Sequence, residues 1–281
     1  MKYGKIEPVI KWSGSKRSQA TDIVSFFPQE IDVYYEPFCG GLSVGMTLAL
    51  SDKRVNKFKC SDKDNNLIEL WKMIKDNPDE LIYCYRKHQE QMNLFTKDDV
   101  AKMREYYNII RNTFNKLHNP TEFMFLNRTC FNGLIRYNSN GEFNTPFHLN
   151  RKGIEPDKLD RIIKEWSEVL NERNFEFDCC NYEDIIPSEN DFVYMDPPYA
   201  DTKGMYGETF DNVRFFNWLK TLVCSYALSY NGISGNENHT YDIPKELYTS
   251  KHLIHSGNSS FKRLKTENTH SEVYESLYIK E

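Results

Sequence analysis

The alternation of short strand-like runs with helical stretches most constrains how this chain of 281 residues can fold. Runs of β-branched and aromatic residues recur along the chain, at residues 31–35, 57–61, 175–177, 192–195, 225–229 and 274–279. Short strands that alternate with helices form a mostly parallel sheet, because each helix returns the chain to the start of the next strand. We therefore predict an α/β fold whose ligands bind beyond the carboxyl ends of the strands.

One long segment interrupts this alternation. Residues 79–117 have a polar, helical pattern without any strand of the buried type, and no internal repeat or low-complexity segment accompanies it. We interpret residues 76–155 as an inserted domain. The insertion would divide one catalytic domain into a first part, residues 1–75, and a second part, residues 156–281.

The composition bounds the class of protein. The chain is 39% hydrophobic and 27% charged, which is typical of a globular protein. Its longest nearly uncharged apolar stretch, residues 42–50, is too short to cross a bilayer, and no apolar stretch follows the N-terminal residues as in a secretory signal. The seven cysteines are odd in number and form no Cys-x-x-Cys pair, which indicates reduced thiols, a cytoplasmic location and no zinc site.

The charge is unevenly distributed along the chain. The net charge of −5 argues against a polyanionic partner. However, residues 111–152 contain six Lys or Arg against two acids, and residues 251–265 contain four basic residues and no acid. Residues 176–201 contain eight acids and no Lys or Arg. Because a charged run is often only a solvated face, these local patches leave nucleic-acid binding open.

A glycine-containing turn follows the first strand-like run. Residues 36–41 read Glu-Pro-Phe-Cys-Gly-Gly, and Asp62 closes the next strand-like run. Paired glycines let a ligand approach the backbone, and an acid roughly twenty residues later can accept hydrogen bonds from ribose hydroxyls. Because the pattern is not Gly-x-Gly-x-x-Gly, we favour a nucleoside cofactor over a dinucleotide. A tight turn and a helix-capping Asp are the alternative without a ligand.

A Gly-Ser loop lies near the N-terminus. Residues 11–16 read Lys-Trp-Ser-Gly-Ser-Lys. Backbone amides and the lysine ammonium of such a loop can bind a carboxylate or a phosphate, although the spacing is not that of a phosphate-binding P-loop. An ordinary polar loop is the alternative.

The strand-like run at residues 192–195 leads directly into Asp196, Pro197, Pro198 and Tyr199. The exocyclic amine of adenine is a poor nucleophile because its lone pair is delocalised into the ring. A carboxylate and a rigid carbonyl that both accept from this amine would concentrate the lone pair, and an adjacent aromatic ring can stack on an extruded base. A proline-stiffened turn capped by Asp is the alternative reading.

Residues 125–147 are rich in Arg and Asn, with Asn140-Gly141 between two short aromatic-bearing stretches. The Asn-Gly pair predicts a hairpin. Arg pairs bidentately with guanine and Asn with adenine in the major groove of DNA, so the hairpin is a candidate for reading bases. An Asn-rich loop without a nucleic-acid role is the alternative.

Together these motifs resemble those of the Dam-like N6-adenine DNA methyltransferases. In that family a Lys-Trp-Ser-Gly-Ser-Lys segment comes first, and the glycine motif, the recognition segment and Asp-Pro-Pro-Tyr follow in the order found here. The resemblance implies a Rossmann-like, mostly parallel sheet with an inserted, mainly helical target-recognition domain. It also implies S-adenosyl-L-methionine as the cofactor and direct transfer of its methyl group without a covalent enzyme intermediate.

The resemblance also assigns roles to individual residues. The expected cofactor-binding residues, including two from the glycine motif, are Trp12, Lys16, Phe38, Gly40, Asp62 and Asp196. The residues expected to hold the target adenine are Asp196, Pro197 and Tyr199. The expected DNA-binding residues are Arg128, Asn132, Arg136 and Asn138. Asn132 and Arg136 are the candidates for reading bases, whereas Arg128 is a phosphate contact or a structural residue.

The resulting hypothesis is an enzyme that methylates N6 of a flipped adenine at a specific site in double-stranded DNA. Expected partners are double-stranded DNA and a cognate restriction endonuclease, with no membrane, in a protein that is a monomer or a weak dimer. Two alternatives remain from the residues alone. The same tetrapeptide serves methyltransferases that act on RNA adenine or protein glutamine, and a DNA-binding protein could retain the motif as a silent relic.

Overall fold

The computed structural model describes residues 6–96, 98–149, 152–198, 210–234, 237–238, 243–258 and 272–281. The chain divides into two compact units. Within the described ranges, unit 1 contains residues 6–15 and 62–179, and unit 2 contains residues 16–61, 180–198 and the segments from 210 onward. The predicted insertion, residues 76–155, therefore belongs to a unit that extends from 62 to 179.

Helices and strands alternate in part of the chain, with a long helical stretch between them. The helices are α1 (Ala20–Ser25), α2 (Ser43–Ala49), α3 (Asn65–Asp76), α4 (Pro78–Asn93), α5 (Val100–Leu117), α6 (Pro120–Thr129), α7 (Pro156–Glu172) and α8 (Asn212–Leu219). The strands are β1 (Glu30–Glu36), β2 (Arg54–Asp62), β3 (Phe175–Cys179), β4 (Phe192–Met195), β5 (Ser225–Ser234), β6 (Glu237–Asn238), β7 (Ser250–Asn258) and β8 (Glu272–Lys280).

Unit 2 is built on a mixed sheet. Its strands follow the order β2-β1-β4-β5-β8-β7, and the short β6 pairs with β5. Strands β2, β1, β4 and β5 run parallel, whereas β8 is antiparallel to both β5 and β7. The predicted α/β fold class is confirmed, and the antiparallel pair β7–β8 adds a feature that the sequence pattern did not predict.

The centre of this sheet explains why the strand at residues 192–195 is uniformly apolar. All four residues of β4 are buried, as expected for a strand between parallel neighbours and covered on both faces. The ring of Phe27 contacts Phe192 and Tyr194 on this strand and Tyr34 on β1, with centroids 4.6, 5.8 and 6.1 Å away. This aromatic packing fixes the two strands that carry the candidate catalytic residues.

Unit 1 is mainly helical. Its core includes Trp71 on α3, whose ring stacks on Trp166 of α7 at 5.2 Å and on Phe177 of β3 at 5.9 Å. Helix α7, which the sequence analysis did not predict, buries apolar residues at helical spacing, namely Leu159, Ile162, Ile163, Trp166, Val169 and Leu170. The helices on either side of residues 76–155 also pack with the insertion, since α3 contacts α6 and α7 contacts α4.

No helix within the described parts of the chain has both the length and the apolar character that crossing a bilayer requires.

Candidate active site

The candidate catalytic residues of unit 2 follow two neighbouring parallel strands. Strands β1 and β4 pair in register, with Tyr34 opposite Phe192 and Tyr35 opposite Val193. Because parallel strands end at the same edge of a sheet, the turn after β1 and the Asp-Pro-Pro segment after β4 emerge together. The sheet therefore brings the glycine motif next to Asp196, as the sequence predicted for a ligand site.

A buried ion cluster surrounds Asp196. The Nζ of Lys16 lies 2.8 Å from Oδ2 of Asp196 and 3.1 Å from Oε2 of Glu275 on β8. The Lys16 side chain is only 6% exposed, whereas Asp196 and Glu275 are 19% and 21% exposed. Burial disfavours the charged form of Lys16, but the two carboxylates outweigh burial and raise its pKa above the usual value. Lys16 is therefore cationic at neutral pH.

Glu36, at the end of β1, is a second acid of this region. It is fully buried, and its Oε2 accepts a hydrogen bond of 2.9 Å from the Tyr34 hydroxyl. Burial is the main cause that raises the pKa of Glu36 to about 8; hydrogen bonds from Tyr34 and the Gly45 amide oppose it, and the Asp196 charge adds to it. The Glu36 carboxyl is therefore mostly protonated at neutral pH, which avoids a second negative charge near Asp196.

Gly45 leaves the space that Glu36 occupies. A Cβ added at Gly45 would lie 2.5 Å from Oε2 of Glu36, closer than two such atoms approach without a shift. Glycine in the middle of a helix costs about 1 kcal/mol relative to alanine, so its presence in α2 needs a packing reason. The buried carboxyl supplies that reason.

The turn after β1 has the backbone conformation that its glycines allow. Gly40 has a φ of 41°, and the Cys39 amide donates a hydrogen bond of 2.9 Å to the carbonyl of Ser61 on β2. The half-buried ring of Phe38 packs against Tyr182 and Phe210, with centroids 5.4 and 6.0 Å away. An aromatic cluster therefore lies beside the turn.

Two predicted cofactor residues belong to unit 1. Trp12 is half-buried, and Asp62 is the last residue of β2. The backbone amide of Asp64 donates a hydrogen bond of 3.1 Å to Oδ1 of Asp62, which fixes that carboxylate. The roles of both residues stay predictions.

Within the Asp-Pro-Pro-Tyr segment, Pro197 is buried and directly follows Asp196. Tyr199, predicted to stack on the target base, lies outside the described residues.

The recognition stretch forms the predicted turn around Asn140-Gly141. Tyr137 and Phe143 form an isolated antiparallel bridge, and Cys130 and Phe147 form another. We refer to residues 134–147 as the recognition hairpin. Asn138 organises its tip, because Oδ1 accepts hydrogen bonds of 2.9 Å from the amides of residues 140 and 142. The Asn138 side chain therefore stabilises the turn, and its contact with DNA stays a prediction.

The two candidates for base reading are both exposed. Arg136 donates from Nε to Oδ1 of Asn144 at 2.7 Å, which orients the guanidinium along the recognition hairpin. Asn132 has a φ of 55° and precedes Gly133, whose φ is 68°. A Cβ at Gly133 would lie 2.6 Å from the side chain of Lys11, so this turn is packed against the N-terminal segment. Both candidate side chains remain accessible to a nucleic acid.

Arg128, the fourth candidate for DNA binding, is buried and only 6% exposed. Its guanidinium donates to the backbone carbonyls of Pro8, at 2.8 Å, and Val9. Burial lowers the pKa of Arg128 to about 10. The position fits the structural role that the sequence left open for Arg128, and a contact with DNA stays a prediction.

Sequence reasoning missed three contributors to these sites. Asn127 pairs with the backbone of Lys11 in both directions, accepting from its amide at 2.8 Å and donating to its carbonyl at 2.7 Å. Glu36 could have been noticed, since it closes a strand-like run before a proline, as Asp196 does. Glu275 gives no local signal, because one acid within a strand pattern is ordinarily a solvent-facing residue.

Unit 2 thus combines a mostly parallel α/β sheet with a glycine turn after β1 and an Asp-Pro-Pro segment after β4. A family model described as D12 class N6 adenine-specific DNA methyltransferase matches residues 12–266. This chain belongs to that family. The predicted family and the predicted DNA adenine methyltransferase activity are thereby confirmed.

Relatives of known activity agree with this family. Type II methyltransferase M1.LlaDCHI of Lactococcus lactis subsp. cremoris is 26% identical, over 86% of this chain and 84% of its own length. Type II methyltransferase M.MjaIII of Methanocaldococcus jannaschii is 33% identical, over 69% of this chain and 70% of its own length. The DNA adenine methylase of Escherichia coli K12 is 32% identical, over 68% of this chain and 64% of its own length.

Proposed function

We propose that this enzyme transfers the methyl group of S-adenosylmethionine to N6 of an adenine within a short, specific sequence of duplex DNA in the cytoplasm. One observation carries the residue-level part of the proposal, namely the 2.8 Å separation of Lys16 Nζ from Oδ2 of Asp196. A cation at this distance favours the ionised carboxylate. An ionised carboxylate after β4 is the hydrogen-bond acceptor that an adenine amine requires.

The residues of unit 2 fit a nucleoside cofactor that carries a positive charge. Gly40, with its φ of 41°, shapes the turn after β1, and the half-buried Phe38 offers an aromatic surface beside it. Asp196 and Glu275 place two carboxylates beside the Lys16 ammonium. When bound, S-adenosylmethionine supplies an electrophilic methyl group on a sulfonium sulfur.

Asp196 and Pro197 would activate the target amine. The Asp196 carboxylate and the Pro197 carbonyl accept hydrogen bonds from the two N–H groups of N6, which concentrates the nitrogen lone pair on the remaining side. The ring of Pro197 fixes φ at this position, and the following Pro198 restricts ψ and thus the direction of the 197 carbonyl. Lys16 holds the carboxylate in one orientation, so the chain contributes a preorganised acceptor.

The recognition hairpin would read the DNA sequence. Arg136 and Asn132 are exposed, and their side chains carry the donors and acceptors that distinguish guanine and adenine in the major groove. We therefore assign base reading to these two residues, and we assign target recognition to the insertion at residues 76–155.

Replacing Arg136 with alanine is expected to reduce discrimination at one guanine of the target. A bidentate Arg–guanine pair contributes about 1–3 kcal/mol of discrimination, so the preference for guanine should fall at least about fivefold. The measurement is the relative methylation rate on duplexes that each carry one base change.

Arg104→Ala is the matched control, because it removes the same charge from an exposed position on α5 in the same unit. It should keep the parent's relative rates. Unchanged relative rates for Arg136→Ala would contradict the assignment of Arg136.

The function itself is tested with tritiated S-adenosylmethionine and three acceptors, namely duplex DNA, RNA and protein. Label in N6-methyladenine of DNA is the expected result. Label in RNA or protein, or cofactor binding without turnover, would support the alternatives instead. Methylome sequencing of a host that expresses the chain would then identify the recognition sequence.

Two of the relatives above are named Type II methyltransferases. We extend the proposal to a protective role beside a cognate restriction endonuclease, with the enzyme acting as a monomer or a weak dimer. DNA from the expressing host should then resist an endonuclease that cuts the same sequence when it is unmethylated.

A further inference from the structure

A hydrogen-bonded path within unit 1 connects the recognition hairpin to Asp62. The path begins at Tyr137, the neighbour of Arg136. The Tyr137 hydroxyl donates to Oδ2 of Asp64 at 2.9 Å and accepts from the Asn66 side chain at 3.2 Å. Two consecutive residues of the hairpin thus differ in their surroundings. Arg136 is exposed to solvent, whereas Tyr137 is half-buried and bonded to Asp64.

Asp64 continues the path. Its Oδ1 accepts hydrogen bonds from the amides of Asn66 and Leu67, at 2.9 and 3.3 Å, and so caps helix α3. Its own amide donates to Oδ1 of Asp62 at 3.1 Å. One residue therefore joins the Tyr137 hydroxyl, the first turn of α3 and the carboxylate that the family resemblance assigns to the cofactor.

The Tyr137–Asp64 bond is suited to transmit a displacement. Burial raises the pKa of Tyr137, and the Asp64 charge raises it further, so the phenol stays protonated and donates. Burial also raises the pKa of Asp64, against the lowering effect of its hydrogen bonds from Tyr137 and from the amides of Leu67 and Asn66. The Tyr137 ring also packs edge-on against Phe143, with centroids 6.1 Å apart, so the hairpin and the hydroxyl move together.

We propose that Tyr137 is a positioning residue that couples DNA recognition to cofactor binding. When Arg136 engages the target, the adjacent Tyr137 sets the position of Asp64 and, through its amide, of Asp62. Site-specific DNA then changes the affinity for the cofactor, and by thermodynamic reciprocity the cofactor changes the affinity for that DNA. This inference rests on the proposed roles of Arg136 and Asp62.

The test uses the full chain and S-adenosylhomocysteine as the cofactor probe. Its Kd is measured by calorimetry with and without a saturating duplex that carries the methylated site. The ratio of the two values should depart from one by at least about fivefold in the parent. In Tyr137→Phe, which keeps the ring and removes the hydroxyl, the ratio should return to within about twofold of one.

Tyr107→Phe is the matched control. The Tyr107 hydroxyl is also buried and donates to the carbonyl of Thr145 in the same hairpin, at 2.8 Å. This variant should keep the parent's ratio of Kd values. That result would show that the loss in Tyr137→Phe comes from the bond to Asp64 and not from a general loosening of the hairpin.

Three outcomes would overturn the coupling role, namely a parent ratio of one, an unchanged ratio in Tyr137→Phe, or an equal loss in both variants. The proposed function is judged separately, because methylation of DNA by the parent enzyme does not depend on this ratio.

Discussion

Replacing Asp196 with asparagine is expected to lower kcat for methyl transfer by about 100- to 1,000-fold, the loss expected on removing one preorganised electrostatic contact from an active site. Asparagine has nearly the same shape, but it is neutral and presents an amide that cannot accept at both positions. The Lys16 ammonium, 2.8 Å from Asp196, would lose this anionic partner and keep Glu275. Single-turnover transfer of tritiated methyl groups to duplex DNA measures this effect.

Asp191→Asn is the matched control for Asp196→Asn. Asp191 is buried immediately before β4, at the opposite end of the strand, and accepts from the amides of Val33 and Ser188 at 3.0 and 2.7 Å. Its replacement should lower the melting temperature and leave kcat within a few-fold of the parent. A parent-like kcat in Asp196→Asn would exclude Asp196 as the acceptor of the adenine amine.

The second large effect concerns Glu36 and pH. Because burial raises the pKa of Glu36 from 4.5 to about 8, the folded protein holds a proton that the unfolded chain releases between these values. The free energy of unfolding should therefore decrease as pH rises through this window. At about 1.4 kcal/mol per pH unit, the contribution amounts to roughly 4 kcal/mol between pH 5 and pH 8.

Glu36→Gln should remove this contribution, since a glutamine cannot ionise and its amide oxygen can still accept from Tyr34. The measurement is urea unfolding of the parent and of Glu36→Gln at both pH values. Other titrating groups, including the seven histidines, are present in both proteins and cancel in the difference. Parallel pH profiles for the two proteins would contradict the buried, protonated state of Glu36.

The catalytic edge of unit 2 was predictable because its signals are local. Residues 192–195 form an uninterrupted apolar run, and the strand occupies these residues. The glycine turn after residues 31–35 likewise follows from the sequence, since few residues other than glycine adopt the positive φ seen at Gly40. A strand or turn can be predicted from the sequence alone where its side-chain pattern and its residues with unusual φ lie within a few positions of each other.

The remaining features depend on contacts between distant segments. Arg128 lies in a basic, Asn-rich stretch that predicts a phosphate contact or a structural role, and its guanidinium donates to the carbonyls of residues 8 and 9. Glu275 reaches Lys16 only because β8 pairs with β5, an arrangement that no local pattern encodes. Tyr137 is similar, since its partner Asp64 precedes it by 73 residues. Sequence patterns identify such residues by type but not by partner.

The close approach of Glu36 to Gly45 limits the order in which this enzyme could change by mutation. Alanine at 45 meets the buried carboxyl at 2.5 Å while Glu36 is present, so we expect the single variant to fold less stably despite alanine's better helix propensity. A shorter residue at 36 opens that space, and the same alanine then becomes favourable. The effect of the substitution at 45 thus depends on whether position 36 has changed first. The two positions therefore constrain each other during evolution.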